Sequence, residues 1–466
     1  MSKKLNIILI LIILANVCYA VSPLQKFTDN SLLQNANISL MVKNITTGTI
    51  IYKENENKSF MPASTMKLVT TATALEMLGP DFRFETDIEV DGKISKDSIL
   101  YGNLIIKGGG DPTLGSAFLG DTAFLQTWVN EIKKAGIKII KGRIIADESI
   151  YNSEAINPKW IWEDMGNYYA PGVYGISYKD NTYRLYFRSG KVGSQPEIIG
   201  TDPVIKDLIF ENHLLATTIN NDSAYLYGIP HSNYRIINGA IPANRNEFIV
   251  KGDIPNPAAL LLSDLEKACK NKGMKVNHQF FTESSRAVIY KHYSTPLSEI
   301  IKAINVPSNN HYAEHVFRIL SAKAYGNGTF EGSVKTVKNY WKDRNLPVDQ
   351  LFMVDGSGLS PMNAVSAKFY LTLLDYMYNK SQYKDIFINS LPVSGESGTL
   401  KSFLKNTKLD GKVMAKSGTI FRVKCYAGYI NNRSKTFAFA VLVNNANGSS
   451  KEATKLIEQF LLDISK

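Results

Sequence analysis

The chain has 466 residues, 44 % of them hydrophobic and 20 % charged, with a formal charge of +11 at pH 7. That length allows two or three domains with separate cores, and the composition excludes a disordered or fibrous protein. No basic run is interleaved with aromatic residues, so the positive balance points away from nucleic acid and towards an anionic envelope or wall polymer.

Lys3 and Lys4 precede the apolar run IILILIILA, which ends in the small-residue segment VCYA. Basic, apolar and small segments in that order read as a secretory signal peptide over residues 1–20, cleaved after Ala20. The run is short for a bilayer span, and Val17 is a poor neighbour for a lipidated Cys18. The expected product is periplasmic, with at most peripheral membrane contact. Cys269 and Cys425 then remain, too few for a disulfide framework, and both read as core thiols.

ISLMVKNITTGTIIYKEN predicts a hairpin around a Thr-Thr-Gly turn. MPASTMKLVTTATALEMLGP follows, with a helix start at Pro62 and Ser64 and a stop at Gly79-Pro80. Its residues are apolar on nearly every face, which places the helix inside a domain. From about Phe84 to Arg286, short strand-like segments alternate with Gly, Asp and Asn turns, a β-rich region expected to form two subdomains. GGGDPT within it lacks the lysine of a phosphate-binding loop. Helical texture returns from Ser294 towards residue 380. VMAKSGT, CYAGYIN and FAFAVLVNN then read as three strands, the last two joined by NNRSK, before an amphipathic helix expected to pack on that sheet.

Ser64-Thr65-Met66-Lys67 puts a lysine one helical turn beyond a serine, and a lysine can act as the base that makes serine a nucleophile. Ser-x-x-Lys recurs at Ser381/Lys384 and Ser402/Lys405, but only Ser64 opens a buried helix. Burial and a second cation could lower the lysine pKa by about 3 units, as base catalysis near neutrality requires. Ser308-x-Asn310 adds a hydroxyl and an amide, and Lys416-Ser417-Gly418 adds a cation on a strand whose glycine admits a close backbone. Alone, each motif is also explained by a helix cap or a strand edge. Together, in this order, they match the three-motif pattern of serine acyl transferases that react with β-lactams.

The chain resembles the low-molecular-mass class C penicillin-binding proteins, the D-alanyl-D-alanine carboxypeptidases and endopeptidases of the bacterial envelope. The resemblance is carried by PASTMK at 62–67, GGGDPTL at 108–114, SNNHYAEHVF at 308–317, DGSGLS at 355–360 and AKSGT at 415–419, with Ser417 where threonine is usual. It implies an α/β (α+β) transpeptidase-like fold, an antiparallel sheet flanked by helices. Residues 21–84 plus 287–466 would form the catalytic domain, and 85–286 the insertion. Ser64 would attack the carbonyl between two D-alanines, Lys67 would take its proton, and Ser308 would relay a proton to the leaving group. Asn310 would hold the substrate amide. Lys416 would draw the terminal carboxylate, bound by Ser417 and Thr419 on the strand that Gly418 keeps open. Ser64 and Thr419 N–H groups would form the oxyanion hole. WIWEDMGNYYAP resembles the segment that reads the wall-peptide side chain, with Asp164 meeting an ammonium and Tyr169 beside it. Peptidoglycan peptides and covalently bound β-lactams are the implied partners. Asp355 reads only as a structural turn.

His311-Tyr312-Ala313-Glu314-His315 also spells H-x-x-E-H, the inverted zinc-peptidase signature. No distant carboxylate ligand stands out, and the other histidines, of 6 in all, form no cluster, so neither metal nor cofactor is expected. A fold that holds peptidoglycan without turnover is the remaining alternative.

Overall fold

The computed structural model describes residues 21–282, 286–432 and 435–465; the expected signal peptide and the Arg433-Ser434 turn tip lie outside the described residues. The two ends of the described chain share one sheet. Its five antiparallel strands run, across the sheet, Val413–Ile420, Val423–Asn432, Lys435–Asn444, Asn37–Asn44 and Ile50–Glu54. The N-terminal hairpin is the one expected, with a register shift between Val42 and Lys43. Asn37 pairs with Asn444 and Asn44 with Phe437, which joins the first strand to the last.

Side chains alternate across this sheet as strand geometry requires. Cys425, Ala427, Tyr429, Ala438, Ala440 and Leu442 face the large helical core. Tyr426, Ile430, Phe439, Val441 and Val443 face the other way, onto Phe27, Ile457, Phe460 and Leu461. The closing helix, Ser450–Ile464, therefore packs on the sheet as expected, and a Ser449/Glu452 capping box fixes its start. Cys269 and Cys425 are free and buried.

The helix Lys67–Leu78 buries every side chain from Lys67 to Leu75. It begins later than the sequence suggested, because Ala63–Met66 forms a 3-10 turn first. Residues three apart eclipse one another in such a turn, so Ser64 and Lys67 still share a face. Leu297–Asn305, Asn310–Tyr325, Phe330–Lys342 and Ala367–Asn379 complete the helical core.

Between Leu78 and Leu297 the chain builds two further cores. One joins a six-stranded sheet to the helices Phe124–Lys134 and Pro257–Asn271. The other lies among strands from Thr182 to Asp253, around Tyr183, Leu185, Phe187, Leu226, Ile237 and Val250. Arg286–Tyr293 pairs antiparallel with Glu85–Ile94, so it belongs with the inserted strands. The composition change near residue 287 thus marks the start of a strand, and hydrogen bonding decides which sheet that strand joins.

Phe460 sits 5.0 Å from the Phe27 ring and 6.0 Å from Tyr52, locking the closing helix to the N-terminal helix and hairpin. Phe460→Ala is expected to cost about 3–5 kcal/mol, read as a lower denaturant midpoint by circular dichroism.

Candidate active site

The sheet, two helices and one loop converge on the 3-10 turn that carries Ser64. Asn444, at the end of a central strand, accepts from Met61 N at 2.9 Å and donates to Met61 O at 3.1 Å. Thr65 Oγ1 bonds Pro62 O at 2.7 Å and the Tyr370 hydroxyl at 2.9 Å. Ala63 is held at φ +46, a conformation non-glycine residues avoid, and Ser64 alone in the turn Ala63–Met66 is left half-exposed.

Lys67 Nζ lies 3.0 Å from Ser64 Oγ, 2.6 Å from Asn310 Oδ1 and 2.7 Å from Ser357 O. As an ammonium it donates to all three. As a free amine it keeps two donors for Asn310 and Ser357 and turns its lone pair on the serine hydroxyl. Burial lowers its pKa to about 7, against the opposing fields of Glu314 and Asp355.

Ser308 lies between two helices at φ +65, and its Oγ accepts from Lys416 Nζ at 2.9 Å. Asn309, not Ser308, caps the helix, accepting from Tyr312 N at 3.0 Å. Asn310 donates to Tyr169 O at 2.8 Å, which ties the second motif to the inserted chain. Lys416 is fully buried and also donates to Ser417 O at 2.9 Å. Burial, Lys67 and Lys424 all lower its pKa. It therefore faces Ser308 rather than open solvent, and any pull on a carboxylate acts through its field. Ser417 donates to Thr399 Oγ1 at 2.7 Å and would have to turn away to bind a carboxylate. Thr419 Oγ1 accepts from Lys424 at 2.9 Å.

Gly418 has a packing purpose that the sequence did not show. A Cβ there would stand 2.3 Å from Pro62 O and 3.0 Å from Thr65 N, so it is the nucleophile's own turn that approaches.

A cleft of about 1010 Å³ brings together Ser64, Asn310, Thr419, Asp164 and Tyr169, with Phe421 and Arg422 from the adjoining hairpin tip. Burial raises the Asp164 pKa to about 6, with the Tyr169 hydroxyl acting in the opposite sense.

Of the H-x-x-E-H residues, Glu314 and His315 are committed elsewhere. Glu314 accepts from the Gly356 and Ser357 amides at 3.2 and 2.7 Å. His315 contacts Gly110 O at 2.8 Å and Ser177 Oγ at 2.9 Å. Asp355, read as a turn residue, accepts from Gly358 N, Ser360 N, Asn363 and the Trp160 indole. It shapes the loop whose Ser357 carbonyl receives Lys67. Ser357 O, Asn444 and Thr399 are contributors sequence reasoning missed: a carbonyl has no sequence signature, and the two side chains lie in no recognised motif.

A hydroxyl set against a desolvated amine, with a second serine-lysine pair beside it, defines a serine hydrolase that works through an acyl-enzyme. The chain belongs to the D-Ala-D-Ala carboxypeptidase 3 (S13) family, whose model matches residues 21–463. It is 26 % identical over 431 residues to D-alanyl-D-alanine carboxypeptidase DacB of Haemophilus influenzae, covering 91 % of this chain and 88 % of that one. It is 26 % identical over 448 residues to a D-alanyl-D-alanine carboxypeptidase of Actinomadura sp., covering 92 % and 81 %. The crystal structure of penicillin binding protein 4 from Haemophilus influenzae matches with a TM-score of 0.78 at 25 % identity, over 94 % of this chain and 97 % of that one. The mixed α/β fold with its antiparallel sheet is as expected.

Gly418→Ala must displace either strand or turn, since backbone lies on both sides. Acylation by a fluorescent penicillin is expected to slow about 100-fold with the fold retained by circular dichroism.

Proposed function

We propose that the protein cleaves the amide between the terminal D-alanines of peptidoglycan stem peptides, and the matching D-alanyl cross-link, through an acyl-enzyme on Ser64. The observation that carries this reading is the 3.0 Å approach of the buried Lys67 amine to Ser64 Oγ. Lys67 takes the hydroxyl proton as Oγ attacks the D-alanyl carbonyl carbon. Ser64 and Thr419 N–H groups receive the oxyanion, each such donor being worth about 3–4 kcal/mol in the transition state. Ser308, held by Lys416, passes a proton to the departing amine. Water then cleaves the ester and restores Ser64. A β-lactam acylates the same oxygen, but its opened ring stays attached, so release is slow. Asn310 holds the substrate amide, and Asp164, with Tyr169, receives an ammonium on the wall-peptide side chain. The names of the Haemophilus and Actinomadura relatives support the D-alanyl specificity.

We place the protein in the periplasm, on the strength of the basic, apolar and small segments at its start. Among the described residues no helix is long and apolar enough to cross a membrane.

Benzylpenicillin, added with a chelator present, is expected to leave a stable adduct that peptide mass spectrometry locates on Ser64, and none on Ser64→Ala. A folded protein without an adduct would sink the assignment. Because Lys67 works as the free amine and its pKa is about 7, the acylation rate should rise about tenfold per pH unit below that value and level off above it. A flat profile from pH 5 to 8 would remove Lys67 as the base.

A further inference from the structure

Three aromatic rings lie along the rim of the cleft. Trp162 and Tyr227 lie 5.9 Å apart at 19°, and Tyr227 and Tyr225 lie 6.5 Å apart at 29°. Near-parallel rings at these spacings are offset rather than superposed, so each leaves part of its face uncovered. Trp162 is 54 % exposed and Tyr225 37 %. Tyr225 also lines the cleft that holds Ser64, as do Ile161 and Glu163 on either side of Trp162.

The rings are held in place by the fold. Tyr225 and Tyr227 alternate along the strand Ser223–Tyr227 with Leu226, which is buried in the inserted core. The loop carrying Trp162 is clamped to that strand: Asn167 Oδ1 accepts from Leu226 N at 3.1 Å, and Met165 O accepts from Gly228 N at 3.2 Å. Gly166, at φ +102, lets them meet, because a Cβ there would stand 2.5 Å from Leu226 O. A surface ordered in this way loses little freedom on binding.

We propose that Trp162, Tyr227 and Tyr225 form a platform for the glycan strand of peptidoglycan, stacking on the apolar C–H faces of its pyranose rings. This rests on the peptidase reading of the cleft. A stem peptide has about four residues between scissile bond and sugar, which span roughly 13 Å when extended, so the sugar must lie at the cleft rim. The platform borders the cleft at both ends, with Tyr225 lining it and Trp162 set between the lining residues Ile161 and Glu163, so it lies along the rim where a polymer carrying the peptide would pass. A row of offset rings matches a chain of successive sugars better than it matches a single apolar anchor.

Protein first acylated with benzylpenicillin would be titrated with a soluble β-1,4-linked N-acetylglucosamine tetramer by ligand-observed NMR. Wild type is expected to bind, Trp162→Ala and Tyr227→Ala to bind about three- to tenfold more weakly, and Trp162→Phe to recover most of the loss. With unacylated protein, Trp162→Ala should lower kcat/KM for stem peptides borne on glycan and leave turnover of the free pentapeptide unchanged. The proposal is overturned if wild type ignores the tetramer, if Trp162→Ala binds it equally well, or if turnover of both substrates falls together. A concentration-dependent rise in sedimentation mass that Trp162→Ala abolishes would assign the platform to a second copy, and also overturn it. Failure of wild type to turn over the free pentapeptide would count against the peptidase reading alone, with the tetramer titration still deciding the platform.

Discussion

Lys67 can carry a charge but exposes no surface to water, and the site is arranged around that constraint. A buried ammonium without partners is costly, so protein acceptors must replace solvent. Two of the three, Asn310 Oδ1 and Ser357 O, come from segments far apart in the chain. Ser357 O is fixed because its own amide is held by Glu314, and its loop is folded around Asp355. Those two carboxylates also set the proton affinity of Lys67. Burial alone pushes the amine down, while Glu314 and Asp355 push it back up. The balance leaves it near 7, where it can both accept and return a proton near neutral pH.

The helix Asn310–Tyr325 joins this chemistry to the inserted chain. Its start carries Asn310, bonded to Tyr169 O. Further along, the Tyr312 hydroxyl contacts Ser116 and Asp180, and His315 contacts Gly110 and Ser177. Arg318, also buried, donates to the carbonyls of Glu154 and Val173. The pattern that spells a zinc signature is thus a seam between catalytic helix and insertion. Tyr312 and His315 are buried with partners from the inserted chain, while Glu314 is held by the Gly356 and Ser357 amides. Burial also lowers the His311 pKa, to about 3, which keeps the ring neutral within that seam.

The nucleophile helix was legible because an all-apolar stretch must be buried, and the sheet because period-two alternation and turn residues bracket each strand. Ser64, Lys67, Ser308, Asn310 and Lys416 were legible as spaced motifs, and the structure sets Lys67 within hydrogen-bonding range of Ser64 and Asn310, and Lys416 of Ser308. Directions were harder to read. Gly418 serves the close approach of Pro62, Ser417 turns to Thr399, and Lys416 turns to Ser308. Spacing within a motif says which residues share a strand but not what packs against it. The pairing of Arg286–Tyr293 with Glu85–Ile94 was not legible for a related reason, since strand pairing is non-local.

Two buried lysines share the site, and their surroundings separate their roles. Lys67 has Glu314 and Asp355 among its neighbouring charges, whereas the fields on Lys416 come from two other lysines and lower its proton affinity. On the proposed peptidase reading, an anion entering beside Lys416 would raise its proton affinity, opposing the effect of burial and of the two lysines. Charging Lys416 in turn favours the neutral form of Lys67, since two ammonium groups in one buried site repel. On the same reading, binding the substrate's carboxylate would favour the free amine that takes the Ser64 proton. The strained backbone at Ser308, φ +65, fits this arrangement. It keeps the hydroxyl on Lys416, so on the proposed reading the cation near the carboxylate would also hold the hydroxyl that protonates the leaving amine.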